Sequence, residues 1–317
     1  MDDRYILQVT SLKKYFPITR GIIKKTVGYI KAVDGVDLEL PKGEVVGIVG
    51  ESGCGKSTLA RTIIRIYIPD EGKILFHGKD ISRVKEGDLK NTRRKIQMVF
   101  QDPYSSLNPK LPIKSTLLDG LEKGLSKREK MEKIYHLLEM VGLPPSAAHK
   151  YPHEFSGGQR QRIGIARAIS VRPEVIICDE PVSALDVSVQ AQIINLLMKL
   201  REERGLSYIF ISHDLNLVGF FCNFVYVMYR GKIMEYARVE DLFESPRHPY
   251  TLMLMESIPG KKKKNRGNRP WPQEMEPAGG CLFYPRCAFR KPSCATEPHI
   301  PLVEISSLHR VRCLLPL

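Results

Sequence analysis

The chain is punctuated by short apolar runs, each ending where glycine or charge begins. Glu44-Val45-Val46-Gly47-Ile48-Val49 is β-branched and apolar, the composition of a buried strand. Val175-Ile176-Ile177-Cys178-Asp179-Glu180 repeats the pattern and closes on two carboxylates, and Tyr208-Ile209-Phe210-Ile211 leads into Ser212-His213-Asp214. Between these runs the apolar period lengthens to three and four residues, which predicts helices. One follows Lys56 through Leu59, Ala60, Ile63 and Ile64. A second covers 127–141, with Met131, Ile134, Leu137, Leu138 and Val141 on one face, and a third carries Ile163, Ile165, Ala166, Ala168 and Ile169. Strands alternating with helices predict an α/β protein.

Composition narrows this picture. With 317 residues, 43% of them hydrophobic, the chain has material for one large core or two smaller ones. No apolar stretch is long enough for a membrane helix, and Met1-Asp2-Asp3-Arg4 lacks the basic-then-apolar form of a signal peptide, so a cytosolic location is expected. The net charge of +14 is read as solvated surface and not as a nucleic-acid footprint, because the basic residues are scattered. The one dense run, Lys261-Lys262-Lys263-Lys264 with Arg266 and Arg269, lies among Gly, Asn and Pro as an exposed linker would. Near an anionic leaflet each such group would add roughly 1 kcal/mol of attraction.

The first strand and helix enclose Gly50-Glu51-Ser52-Gly53-Cys54-Gly55-Lys56-Ser57, which fits G-x-x-x-x-G-K-[ST]. Glycines let successive backbone N–H groups point into one concavity at a helix start, where phosphate oxygens sit. Lys56 would reach the β- and γ-phosphates, Ser57 would ligate Mg²⁺, and Thr58 would assist at the α-phosphate. A chain of this length meets the pattern by chance about once in a hundred, and a preceding strand makes a bare glycine turn rarer still. ATP and Mg²⁺ are therefore the expected ligands. The acidic strand end belongs to the same chemistry: Asp179 would hold the Mg²⁺ shell and Glu180 would take a proton from the attacking water.

A third motif separates this chain from other phosphate-loop proteins. Phe155-Ser156-Gly157-Gly158-Gln159-Arg160-Gln161-Arg162 opens the third predicted helix, so its glycines would present backbone donors to an anion. A serine-capped helix start accounts for Ser156 but gives no reason for two glycines and a glutamine after it. With this motif the sequence closely resembles the nucleotide-binding subunits of ABC transporters over nearly its whole length, Ser156-Gly157-Gly158-Gln159 standing at their signature.

The resemblance implies further roles. Gln101, after Ile96-Gln97-Met98-Val99-Phe100, would touch Mg²⁺ or the attacking water, and His213 would contact the γ-phosphate. Asp186, in Ser183-Ala184-Leu185-Asp186, would link two subunits, because each signature completes the partner's nucleotide site. An N-terminal aromatic stacks on adenine in this family; Phe16 is chosen, with Tyr15 as the neighbouring alternative and 17–29 as an insertion. The implied fold is a RecA-like P-loop NTPase core with an antiparallel β subdomain and an α-helical subdomain at about 102–170. The nucleotide-binding domain is expected over 1–257, and a linker with a small cysteine-containing extension over 258–317. Gln101-Asp102-Pro103-Tyr104-Ser105-Ser106-Leu107-Asn108-Pro109 would be a flexible joint, and the surface behind it would receive helices of the membrane subunits.

That segment, Ser245-Pro246-Arg247-His248-Pro249-Tyr250-Thr251 and the cysteine-bearing tail resemble the oligopeptide and dipeptide permease branch, whose relatives also import oligosaccharides and nickel. The implied assembly is a second ATP-binding subunit, two membrane permease subunits and, indirectly, an extracytoplasmic substrate-binding protein, on the cytoplasmic side of the membrane and without nucleic acid. A soluble ABC ATPase acting on ribosomes or DNA is the competing class, but such proteins carry tandem cassettes or a long coiled-coil insertion, and this chain has neither. Cys281, Cys287, Cys294 and Cys313 leave three readings open: a [4Fe–4S] cluster, favoured because four thiolates suit it and some peptide-permease ATPases, by the resemblance, carry one in this region; zinc, whose usual close cysteine pairs are absent; or unligated thiols or a disulfide formed after purification.

Overall fold

The computed structural model describes residues 4–21, 25–102, 107–258 and 280–317. Met1-Asp2-Asp3, the joint residues Pro103-Tyr104-Ser105-Ser106 and the basic run at 261–269 lie outside them. In chain order the first elements are β1 (Tyr5–Arg20), β2 (Lys25–Pro41), β3 (Val45–Val49), α1 (Lys56–Ile63), β4 (Glu71–Phe76) and β5 (Lys79–Asp80). Then come α2 (Glu86–Lys95), β6 (Ile96–Val99), α3 (Ile113–Leu118), α4 (Lys127–Met140), α5 (Gly157–Ser170), β7 (Val175–Asp179), α6 (Val187–Arg204) and β8 (Ser207–Ile211). The last are α7 (Leu215–Phe221), β9 (Phe224–Tyr229), β10 (Lys232–Arg238), α8 (Val239–Glu244), α9 (Pro249–Glu256), α10 (Ser293–Thr296), β11 (Val303–Ser306) and β12 (His309–Val311).

The chain divides into two compact units, one of Met1–Glu39, Val45–Arg83 and Ser212–Leu317, the other of Leu40–Glu44 and Val84–Ile211. In the first, β1 and β2 form a long hairpin edge of a sheet ordered β2-β1-β4-β5. The hairpin's outer half keeps strand geometry through 17–20 and 25–29 and leaves Ile18, Val27, Tyr29 and Ile30 exposed. Elsewhere in this unit β3 pairs parallel with β9, from Val46 opposite Phe224 to Val49 opposite Val227. β9 then pairs antiparallel with β10, β10 with β12, and β12 with β11. All five residues of β3 are buried, as expected of a parallel strand covered on both faces. Residues 303–311 of the tail thus continue a strand edge of this unit.

Buried Glu235 on β10 ties that tail to the segment before α9. Its carboxylate accepts the Arg247 and His248 amides at 2.7 and 2.8 Å and meets His309 Nε2 at 2.7 Å. A buried carboxylate with this many donors is paired as such groups must be.

The second unit holds three parallel strands, β6 and β8 flanking β7, with Ile96 opposite Val175 and Asp179 opposite Ile211. The five residues of β7 are buried, so the apolar run read from sequence is a central strand. α4 begins at a complete capping box, Ser126 with Glu129, and buries Ile134, Leu137 and Leu138; Met131 is only half-buried.

Candidate nucleotide site

In the first unit the loop between β3 and α1 is shaped by close backbone approaches. Gly50 has φ 150°, and a Cβ there would lie 2.1 Å from the Met228 carbonyl oxygen. Gly55 has φ 111°, and its Cβ would lie 2.0 Å from the carbonyl oxygen of Ala32. Neither position admits a side chain, so these two glycines are required by the walls of the loop as well as by its turn. Gly55 precedes α1 with no side chain closing the first helical turn. A helix start that needs no side-chain cap is the kind that can serve as an anion site.

Lys56 is 5% exposed and lies folded into the loop, donating to the carbonyls of Gly50 at 2.7 Å and Glu51 at 3.0 Å. Cys54 is buried with its sulfur 3.9 Å from Lys56 Nζ, and burial raises its thiol above the usual value. Ser52 and Gly53 are exposed at the tip, while Ser57 and Thr58 are half-buried in the first turn of α1. His213 is exposed and lines a cavity of about 490 Å³ with Gly50, Glu51, Asp214 and Asn216. Its position follows from Ser212, whose amide donates to the Ile48 carbonyl at 3.3 Å, and from Asp214, whose carboxylate caps α7. The loop and the histidine expected at the γ-phosphate thus open onto one cavity.

Phe16 and Tyr15 differ in their commitments. The Tyr15 hydroxyl donates to Asp34, and its amide donates to Asp70 Oδ2 at 2.6 Å. Phe16 is half-buried and touches Tyr67 edge-on at 5.3 Å between ring centroids, with Lys14 Nζ 5.5 Å over its ring.

In the second unit β7 ends in two adjacent carboxylates that sit differently. Asp179 is 1% exposed at the strand end, and Glu180 follows in a left-handed conformation, φ 48°, with its amide donating to the Ile211 carbonyl at 3.0 Å. Such a conformation costs a non-glycine residue about 1–3 kcal/mol and is typical of functional sites. Gln101 Nε2 donates to Glu180 Oε2 at 3.0 Å, so two of the predicted catalytic groups are in contact across 79 positions of sequence.

The signature is built differently from its sequence reading. Ser156 caps α5, and Gln159 completes the box: its amide donates to Ser156 Oγ at 3.4 Å and its Oε1 accepts the Ser156 amide at 3.0 Å. The glutamine therefore has a structural reason, the S-x-x-Q capping box. A Cβ on Gly158 would lie 2.5 Å from Val189 Cγ1, which gives that glycine one too, while one on Gly157 would meet Leu185 Cδ2 at a tight 3.3 Å, which that flexible side chain must yield by a few tenths of an ångström. Ser156 and Gln159 are exposed. Ser183, Ala184 and Asp186 are also exposed, and Val187 after them is 81% exposed, an apolar side chain left bare beside the signature's own unit.

Two groups at this site had no chemistry assigned from sequence. Tyr250 receives the Glu51 amide at 2.9 Å, and Arg286 forms a two-pronged pair with the Glu51 carboxylate, both contacts 2.8 Å. Tyr250 lay within a segment noted only as a branch mark; Arg286 is 235 positions from Glu51, and nothing local announces it.

The tail cysteines do gather. All four line one cavity with Phe283, Phe289 and Ile300, and its volume is about 20 Å³, room for a single water. Burial pushes the Cys287 thiol up to about 11 and Cys313 up to about 12. Among the described residues no three of His, Cys, Asp or Glu stand in metal-holding geometry. The four thiols thus converge on one small, largely apolar cavity.

A phosphate loop of this build defines a nucleoside triphosphatase, and comparison with known proteins gives its kind. Residues 33–183 match the family model described as ABC transporter, and 234–294 match the oligopeptide/dipeptide transporter C-terminal region. The chain is 51% identical to the oligopeptide transport ATP-binding protein AppF of Bacillus subtilis, over 97% of this chain and 96% of that one. It is 48% identical to OppF of the same organism, over 80% and 82% of the two chains. Among solved structures it is similar to the dimeric post-hydrolysis ATP-binding cassette MJ0796 bound to ADP and Pi, with TM-score 0.66 and 29% identity over 74% of this chain and 98% of that one. It is also similar to cbiO1 from Clostridium perfringens, part of the ABC transporter complex cbiONQ, with TM-score 0.65 and 29% identity over 76% and 91%. The chain belongs to the ABC transporter ATP-binding proteins, in their oligopeptide/dipeptide branch, and has the ATPase cassette fold of that family. Among the described residues no helix is long and apolar enough to cross a membrane.

Proposed function

We propose that this chain is the ATP-hydrolysing engine of a peptide importer, attached to membrane permease subunits on the cytoplasmic side. The loop around Gly55 carries the reading, because glycines that admit no Cβ and a helix start without a side-chain cap are the build of an anion site. The relatives, oligopeptide transport and peptide import ATP-binding proteins, support the peptide cargo over oligosaccharide or nickel. They also support transport over ribosome- or DNA-directed work.

ATP would lie on 50–58 with adenine against Phe16, whose neighbour Tyr15 is already committed through its hydroxyl to Asp34. Lys56 would exchange the loop carbonyls it now contacts for β- and γ-phosphate oxygens. By their motif roles Ser57, Asp179 and Gln101 would hold Mg²⁺, which keeps several waters and needs few protein ligands. When bound, it would neutralise charge on the phosphates. Glu180 would accept the proton of the attacking water, with Gln101 holding its carboxylate, and His213 would contact the γ-phosphate. Ser156, Gly157, Gly158 and Gln159 would meet the ATP of a second ATP-binding subunit, with Asp186 linking the two; the exposed signature and bare Val187 support such a partner. The domain reading, 1–257 for the cassette and 258–317 for the linker and branch-specific tail, goes with this assembly. An extracytoplasmic binding protein would select cargo. A [4Fe–4S] cluster, should the chain carry one, would be held by Cys281, Cys287, Cys294 and Cys313, which line one cavity.

The test is reconstitution with the permease subunits in liposomes. Peptide uptake should require ATP and fail with Lys56→Ala. ATP turnover without any peptide dependence, or copurification with ribosomes instead of permeases, would overturn the reading.

A further inference from the structure

Two sequence segments that mark this branch, 245–251 and the tail, take no part in the chemistry just described. Each sends one residue to the same place. Glu51, the second residue of the phosphate loop, is held at all three of its polar groups. Its amide donates to the Tyr250 hydroxyl at 2.9 Å, its carbonyl accepts Lys56 Nζ at 3.0 Å, and its carboxylate receives both terminal nitrogens of Arg286 at 2.8 Å.

Arg286 is itself fixed. It ends the short turn Tyr284–Arg286, which the amides of Tyr284, Arg286 and Cys287 close by donating to Cys281, Phe283 and Tyr284. Its guanidinium carbon lies 5.9 Å from the Tyr229 ring and 5.7 Å from Phe283, and Tyr250 packs 4.6 Å from Tyr229 and 5.4 Å from Phe283. These three rings are buried. A planar guanidinium on an aromatic floor, forked onto a carboxylate, is a geometry that lysine cannot reproduce. Pairing with Glu51 raises Arg286 above its ordinary value, so the group is charged.

The electrostatic need is plain. A nucleoside triphosphate brings several negative charges to this loop, and Glu51 adds another within it. An uncompensated carboxylate would oppose the ligand the loop is built to hold. We propose that Arg286 is a positioning residue for the nucleotide site: it neutralises Glu51 and, with Tyr250, holds the second residue of the loop ready for the triphosphate, making the C-terminal segment a determinant of ATP affinity. The inference rests on the reading of 50–58 as the ATP site. It also gives the cysteine cavity a purpose, since Cys281, Cys287 and Phe283 of that cavity shape the turn that carries Arg286.

The experiment measures MANT-ATP affinity on the full chain, and KM and kcat in the reconstituted importer. Arg286→Met should raise Kd and KM about tenfold and leave kcat at saturating ATP within about twofold. Glu51→Gln removes the charge that needs neutralising, so adding Arg286→Met in that background should change Kd by less than about twofold. Arg286→Lys keeps charge without the fork and should raise Kd about threefold, an effect that disappears in the Glu51→Gln background. If Arg286→Met does not fold, the Arg286→Lys and Glu51→Gln pair carries the test. Unchanged Kd in the single Arg286 variants, or an equal loss from Arg286→Met in the Glu51→Gln background, overturns the proposal and leaves Arg286 as turn packing only. Lys56→Ala separates the two layers: if it binds MANT-ATP as wild type does, the loop is not the nucleotide site and the underlying reading falls instead.

Discussion

The helix after the phosphate loop starts at Gly55 with no side chain closing its first turn, whereas the signature helix starts at Ser156 inside a finished capping box. At the first, walls from Ala32 and Met228 press on the glycines, Lys56 is buried, and Glu51 is pinned from three directions within one unit. At the second, the serine and glutamine satisfy each other and remain exposed. The loop is built to be completed by a small ligand. The signature is already complete as a helix start, so what it offers lies on its outer surface, where only another molecule can use it. On the proposed function the contrast has a meaning: one anion site would be finished inside the chain, and the other would serve a partner.

The largest break in this contrast comes from chemistry, not binding. Glu180→Gln removes the expected general base, and turnover should fall roughly 10²- to 10⁴-fold while MANT-ATP binding to the isolated chain is retained. The glutamine keeps the contact with Gln101, so the fold near β7 should persist, which circular dichroism and thermal melting would verify. Hydrolysis close to wild type would remove Glu180 from the base role.

Next in size is Gly157→Asp, which places a carboxylate on the outward face of the signature. The chain should bind ATP on its own loop much as before, because nothing in 50–58 changes. In a mixed dimer with one wild-type subunit, hydrolysis at the site facing the aspartate should drop by more than about tenfold, since a like charge opposes the phosphates. Equal loss at both sites in single-turnover assays would show that the two helix starts are not independent.

How far this contrast could be read in advance differs between its halves. The strands β3, β7 and β8 are legible because a strand buried on both faces must be an unbroken apolar run, and the glycine loop is legible because its backbone geometry excludes side chains. The phosphate-loop residues, the acid pair and the signature therefore announced themselves by type and order. The neighbours of Glu51 did not. Tyr250 and Arg286 reach it by tertiary packing across 199 and 235 positions, a relation with no local period. The capping role of Gln159 was legible in principle, as S-x-x-Q, but the family signature at the same four positions drew it toward the partner alone. The four cysteines suggested a metal by number; their collection in a small apolar cavity is a packing outcome that spacing does not encode.

Acid should separate the halves by a further, smaller margin. His248 is buried and caps α9, its Nδ1 accepting the amide of Tyr250, and burial lowers its pKa from 6.5 to about 4. Glu235 and Arg312 are the charged groups acting on it, the first favouring and the second opposing the proton. The unfolded chain takes up a proton near pH 6.5 and the folded one only near 4, so this contribution is complete above pH 6.5. It is lost as pH falls toward 4, up to about 3 kcal/mol. Protonating Nδ1 also deletes the acceptor that positions Tyr250 behind the phosphate loop. Hydrogen exchange between pH 6.5 and 4 should therefore show protection falling earlier at 50–56 than at the start of α5, with His248→Gln removing much of the difference.

The smallest effect is the most direct probe of the signature's self-sufficiency. Ser156→Ala deletes the oxygen that accepts the Gln159 amide and leaves the Gln159 side chain to close the turn alone. An exposed cap of this kind contributes about 1 kcal/mol, so urea unfolding of the isolated chain should lose about that much stability with an unchanged slope. The ATPase of the assembled dimer should fall as well, because the hydroxyl that caps α5 is also the first group a partner's nucleotide would meet. Gln159→Ala keeps the hydroxyl but removes the other half of the box, so it divides the two roles. If Ser156→Ala costs activity and no stability while Gln159→Ala costs neither, the serine serves the partner and the capping box is incidental. If both variants lose stability in proportion to activity, the helix start is built for itself first, and the partner's site borrows a surface that the chain needed anyway.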